Sequence, residues 1–83
     1  MTTKSITVTN PSIMQNQGLA RTIECANSFK SYLAFSTGDI KTNAKSLLGV
    51  LALQLRVGMD MEIIADGPDE NEAIVSLSTH LCN

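Results

Sequence analysis

Tryptophan is absent, and histidine and tyrosine each occur once. With His80 the single histidine and Cys25 and Cys82 the only cysteines, the chain lacks the roughly four soft donors of a structural zinc site. The cysteines share no C-x-x-C spacing, and each falls in a stretch of helical periodicity, where it reads as a small buried apolar side chain. A disulfide between them is open on the sequence alone but disfavoured in a reducing compartment. No apolar run approaches the roughly 20 residues that cross a bilayer; the longest, LLGVLAL, stops at 7. The N-terminal MTTKSITVTN lacks the apolar core of a secretory signal, so a cytoplasmic protein is expected. Lys and Arg number 6 against 8 acidic residues, and the net charge is −2. The basic residues are scattered, which argues against nucleic acid, a ligand that rewards a basic stripe.

What is present belongs to a soluble globular chain, 43% hydrophobic and 17% charged. A single domain over residues 1–83 with a modest core is expected. SITVT alternates Ile6 and Val8 with polar neighbours, a half-buried strand closed by Asn10 and Pro11. From Gln17 to Ser28 the period becomes helical, with Leu19, Ile23 and Ala26 on one side. SYLAFS, the turn TGD and IKTN read as a hairpin over 31–43. Ser46 is a good N-cap for LLGVLALQL, with Gly58 as its stop or turn. MDMEIIA is a strand with Met61, Ile63 and Ala65 on one face. DGPDENEAIVSLSTHL opens as a turn, carries a capping-box pair in Asp69 and Glu72, and closes as an amphipathic helix through Ala73, Ile74, Leu77 and Leu81.

The order β-α-β-β-α-β-α predicts an α+β two-layer sandwich: a four-stranded, mostly antiparallel sheet with three helices on one face and the other face open. The expected core is Ile6, Val8, Leu19, Ile23, Ala26, Leu33, Phe35, Val50, Met61, Ile63, Ile74 and Leu77.

The loop before the first helix, SIMQNQG, offers Gln15, Asn16 and Gln17, none a nucleophile or base at neutral pH. Read alone, it is a polar loop that caps the helix, or a set of free amides able to meet an anion. Ser46, read alone, is a helix cap. Leu47 and Leu48 beside it cannot both point inward, which leaves an apolar docking patch with Leu51.

The element order and NAKSLLGVLAL together resemble the HPr family of the bacterial sugar phosphotransferase system. The likeness runs over nearly the whole chain, most specifically over Asn43 to Leu53, and GPDENEA is similar to the family's usual entry to its last helix. The resemblance implies an open-faced HPr-like fold and a non-enzymatic protein without metal or cofactor. It also implies a loop histidine, in a Gly-Leu/Ile-His-Ala-Arg-Pro motif, that relays phosphate from phosphoenolpyruvate to sugar transport proteins. Counting from Ser46 by the family spacing puts Gln15 at the histidine, Gln17 at the arginine and Gly18 at the proline. A second register slides GLAR, residues 18 to 21, onto the motif. In both registers the phospho-accepting histidine is missing. His80, near the end of the last helix, reads as a surface residue and no substitute.

Family members from Gram-positive bacteria are also phosphorylated on the serine matching Ser46, and a histidine-less branch with glutamine, the catabolite-repression HPr or Crh-like branch, serves regulation alone. Gln15 makes this chain resemble that branch. The implied partners are the family's serine kinase/phosphorylase, a transcriptional regulator of carbon catabolite repression, and components of the sugar phosphotransferase system. They would meet Lys45, Leu47, Leu48, Leu51, Gln15 and Gln17. Gln17 cannot copy the fork of an arginine, and Lys45 offers a point charge. The alternatives are a diverged component that docks on transport enzymes without relaying phosphate, and a domain with a new ligand at the loop.

Overall fold

The computed structural model describes residues 1–82, and for Asn16 the backbone alone. Four strands, β1 (Thr2–Thr7), β2 (Tyr32–Thr37), β3 (Ile40–Asn43) and β4 (Asp60–Asp66), form one sheet in the order β1-β4-β2-β3. The three pairings are all antiparallel. Three helices, α1 (Asn16–Asn27), α2 (Leu47–Leu53) and α3 (Glu70–Cys82), complete the order read from the sequence. A 3-10 turn over Pro11–Met14, not expected from the sequence, links β1 to α1.

The register follows from the period-2 pattern of β4. Met61, Ile63 and Ala65 face the helices, opposite Ile6 on β1 for Met61, and Phe35 and Leu33 on β2 for Ile63 and Ala65. Val8, Leu19, Ala26, Val50, Ile74 and Leu77 close over them as expected. Ile13, Ala44, Leu53, Ala73 and Leu81 complete the layer, while Ile6 and Ile23, expected inside, are only partly buried at its margin. Ile6 lies on the edge strand β1, where a small core has little cover.

Four local expectations need correction. The first strand begins at Thr2 and ends at Thr7, because Thr2 already pairs with Ala65. Val8 then bonds Met59 and Gly58 outside the ladder. α2 stops at Leu53, because Gln54 takes the left-handed conformation (φ 55°) and its amide turns back to Leu51; Gly58 is a turn, as expected, and not the helix stop. The capping box of Asp69 and Glu72 is absent from the described hydrogen bonds. Asp69 instead accepts from the amides of Lys30 (2.9 Å) and Ser31 (3.0 Å) and from the Ser31 hydroxyl, a cross-link between the end of the α1–β2 connection and the start of α3. Cys82 is exposed rather than buried, Cys25 is half-buried, and both are free thiols.

The Ser31 hydroxyl, followed by the Lys30 amide, holds the Asp69 carboxyl below its usual range, and Thr2 and the Gly67 amide do the same for Glu70. A pKa lower in the folded than in the unfolded chain gives stability that is complete above the ordinary carboxylate range. That stability is lost as pH falls through the depressed value. The melting temperature should therefore drop as the pH falls below about 5. Asp69→Asn should lower it at neutral pH and flatten this acid limb. An acid limb of unchanged steepness in the variant would remove Asp69 from the account.

Candidate functional site

Asn10 begins the loop. Its Oδ1 accepts from the Ser12 amide (3.1 Å) and hydroxyl (2.8 Å), and Pro11 takes the first position of the turn, where no N–H is needed. Its Nδ2 donates to the carbonyl of His80 at 2.8 Å, and its backbone amide donates to that of Leu81. The end of α3 is thus tied to the loop. Gly18 lets the 3-10 turn lie directly on α1, because a Cβ there would run into the Ser12 carbonyl.

Gln15 then stands at the N-cap of α1, in extended conformation (φ −100°, ψ 150°), and its side chain makes no capping bond. On one side of it lies a polar cavity of about 170 Å³ whose lining includes Asn10, Ser12, Gln15, Gln17, Arg21 and His80. On the other side a groove of about 180 Å³ runs between the 3-10 turn and α2, with Ile13, Met14, Leu19, Val50, Leu51 and Leu55 among its walls. Gln15 borders both. From the sequence His80 is expected at a bland surface position, whereas it is half-buried and shares a cavity with Gln15 and Gln17. Arg21, the last residue of the GLAR register, lines the same cavity. Gln17, Gly18 and Arg21 have the spacing of one helix face, a signal that was legible. No local signal brings residue 80 to residue 15.

Ser46 caps α2. Its Oγ accepts from the Gly49 amide at 3.2 Å, and its carbonyl receives the Val50 amide at 3.0 Å. Gly49 lies over Thr42 of β3, where a Cβ would meet the threonine hydroxyl, so α2 is held close to the sheet. Lys45 is not a loose cation: its Nζ donates to the Phe29 carbonyl at 2.8 Å. Val50 and Leu53 point into the core while Leu47, Leu48 and Leu51 are 51%, 80% and 48% exposed. With Met14, 63% exposed across the groove, they make an apolar margin beside Ser46.

A wider depression of about 470 Å³ lies on the sheet, bordered by Ser5, Thr7, Ser36, Asp60 and Glu62, and brings together two carboxylates and no cation. No cluster of three or more His, Cys, Asp or Glu suited to a metal occurs among the described residues. Burial pushes the Cys25 thiol above its usual pKa, so it is protonated at neutral pH and no nucleophile. No described helix is long and apolar enough to cross a membrane.

Comparison with known proteins agrees with this architecture. The family model described as the PTS HPr component phosphorylation site matches residues 2–82. Phosphocarrier protein HPr of Treponema pallidum is 30% identical over 77 residues, 93% of this chain and 88% of that protein. HPr-like protein Crh of Bacillus subtilis is 32% identical over 68 residues, 82% of this chain and 80% of that protein. Its solution structure, described as the catabolite repression HPr, superposes with a TM-score of 0.75 over 99% of this chain and 98% of that one, at 28% identity. HPr of Thermoanaerobacter tengcongensis superposes with a TM-score of 0.91, at 28% identity, covering 98% of this chain and 91% of that one.

The division of α2 into a buried and an exposed face predicts two different mutational responses in urea denaturation. Leu48→Asp should change stability by no more than about 0.5 kcal/mol. Leu53→Ala should cost about 2–5 kcal/mol through the cavity it leaves. Equal costs would show that Leu48 is packed.

Proposed function

The chain belongs to the HPr family, and from that footing we propose that it is a regulatory protein-binding module, switched by phosphorylation at Ser46, rather than a phosphate relay. Members of the family are phosphocarrier proteins, not enzymes, and Crh is among the relatives. The observation that carries the proposal is the pairing of Ser46 with an exposed apolar margin: a cap hydroxyl whose Oγ already faces the Gly49 amide, flanked by Leu47, Leu48 and Leu51. A phosphate there adds about −1.5 to −2 charge at neutral pH and three acceptor oxygens, changing the surface next to the leucines without entering the core. In this reading Gln15 stands where the family's histidine acts. An amide has no nitrogen lone pair comparable to imidazole's, so the transfer step lacks its nucleophile. Gln17, in the place of the arginine, presents amide groups where a guanidinium would clamp a phosphoryl group.

The partners proposed are the family's serine kinase/phosphorylase, a transcriptional regulator of carbon catabolite repression and components of the phosphotransferase system, all acting in the cytoplasm. They would bind across Leu47, Leu48, Leu51, Gln15 and Gln17. Lys45, anchored to Phe29, contributes a fixed positive charge beside Ser46. The reading as a docking component that does not relay phosphate uses the same surface without the serine switch.

Incubation with ATP and the family's serine kinase should add one phosphate, found at Ser46 by peptide mass spectrometry. Ser46→Ala should abolish labelling and cost about 1 kcal/mol through loss of the cap. Leu48→Asp should block labelling while leaving the fold intact, because exposed anchors carry recognition. Phosphate that persists in Ser46→Ala, or no labelling of the unaltered protein, would return Ser46 to the role of a plain helix cap.

A further inference from the structure

A depression of about 290 Å³ lies at the margin of the sandwich, between the edge strand β1 and α3. Its origin is in the inner row of β1. Lys4 stands directly opposite Ile63, and residues opposite each other in an antiparallel pair share a face, so Lys4 points to the helix side of the sheet. Thr2, two positions earlier on that face, bonds to Glu70 of α3. Two polar residues thus stand where apolar side chains would seal the layer. From α3 come Val75, Ser78, Thr79 and Cys82, the i, i+3, i+4 and i+7 positions of one helix face. We propose that this depression binds a compact carboxylate with a short aliphatic body, with Lys4 as its charge partner and Ser78 as its hydrogen-bond donor.

Ser78 carries the assignment. It is 8% exposed, and its Oγ has no hydrogen-bond partner among the described residues. A serine or threonine inside a helix can donate to the carbonyl four positions back, as Thr79 does to Val75 at 3.0 Å. Cys82 Sγ is likewise spent, on the Thr7 carbonyl at 3.4 Å. Of these donors only the Ser78 hydroxyl is unused. A buried polar group left unpaired is destabilising, and an acceptor that enters the depression relieves it. Lys4 sets the sign of that acceptor. It forms no ion pair among the described residues, no carboxylate joins the lining, and Asp66 and Glu70 are engaged with the N-terminal ammonium. One cation and one free hydroxyl match the two oxygens of a carboxylate and leave a phosphate dianion short of both charge and donors. Val75, 64% exposed, offers apolar contact to the body of the ligand. The volume takes a short branched acid and several waters, each water filling about 30 Å³. The site uses neither Ser46 nor the leucines of α2, so this proposal and the proposed function stand or fall separately.

Sodium isobutyrate titrated into the 15N-labelled protein, against sodium chloride of matched ionic strength, tests the site by NMR. The expected result is saturable shifts at the Lys4, Ser78 and Thr79 amides, with no saturation in chloride. Lys4→Gln should weaken the apparent affinity about tenfold or more, the loss of a charge-assisted hydrogen bond. Lys41→Gln, which removes a lysine from the opposite edge strand, should leave it unchanged. Ser78→Ala should weaken it about threefold or more while the melting temperature holds or rises, because no internal bond leaves with the hydroxyl. Acetyl-glycyl-valine with a free C-terminus, run in parallel, separates the sources: tighter binding than isobutyrate assigns the site to a peptide C-terminus, and equal or weaker binding to a free acid. Shifts that stay linear and follow ionic strength, a Lys4→Gln variant as responsive as the parent, or a Ser78→Ala variant that melts lower and binds as before, would overturn the proposal.

Discussion

Asn10 bonds with both ends of its amide at once, Nδ2 to the His80 carbonyl at 2.8 Å and Oδ1 to the amide and hydroxyl of Ser12. One side chain thereby sets the position of the end of α3 and the start of the 3-10 turn. The turn fixes Gln15 at the head of α1, and Gly18 lets α1 lie against it. Because α3 ends on this loop, a residue 65 positions away from Gln15 (80 − 15) borders the same cavity. A half-buried amide bonded at both ends is costly to disturb, and here its partners are the frame of the surface.

Most of the fold was legible because it rests on local periodicity. Met61, Ile63 and Ala65 alternate with Asp60, Glu62 and Ile64, and that alternation alone fixes which face of β4 meets Leu33 and Phe35. Ser46 as the cap of α2 was legible for the same reason, since a cap is a local event. The rest depends on distant partners or on a backbone conformation the residue type does not signal. Asp69 and Glu72 have the spacing of a capping box, but the Asp69 carboxylate is claimed by Lys30 and Ser31, 38 or 39 positions away. The end of α2 turns on a left-handed Gln54, a conformation that glutamine does not advertise. The neighbourhood of His80 is a product of topology, and no window of sequence around it points to Gln15.

The candidate surface has two halves that differ in chemistry and share Gln15 as their border. The α2 half is apolar and carries one modifiable hydroxyl, and the α1–α3 half is polar with Arg21 and His80. Under the proposed function, phosphate enters at Ser46 by covalent attachment and alters what the leucines can meet. The amide at Gln15 suits that reading, because it offers a donor and an acceptor at any pH. The core is left untouched: the groups involved sit on the outside of helices whose inner faces, through Leu19, Val50, Leu53 and Leu77, are already packed.

Under the proposed function, this member of the HPr family carries phosphate on an oxygen and not on a nitrogen. The most direct measurement is a 31P NMR spectrum of the protein after incubation with phosphoenolpyruvate and the family's first kinase in one sample, and with ATP and the serine kinase in another. The account predicts no protein-bound phosphorus in the first and a single phosphomonoester resonance in the second. A phosphoramidate resonance in the first sample would contradict it, since His80 is the one imidazole in the chain and would then be an acceptor.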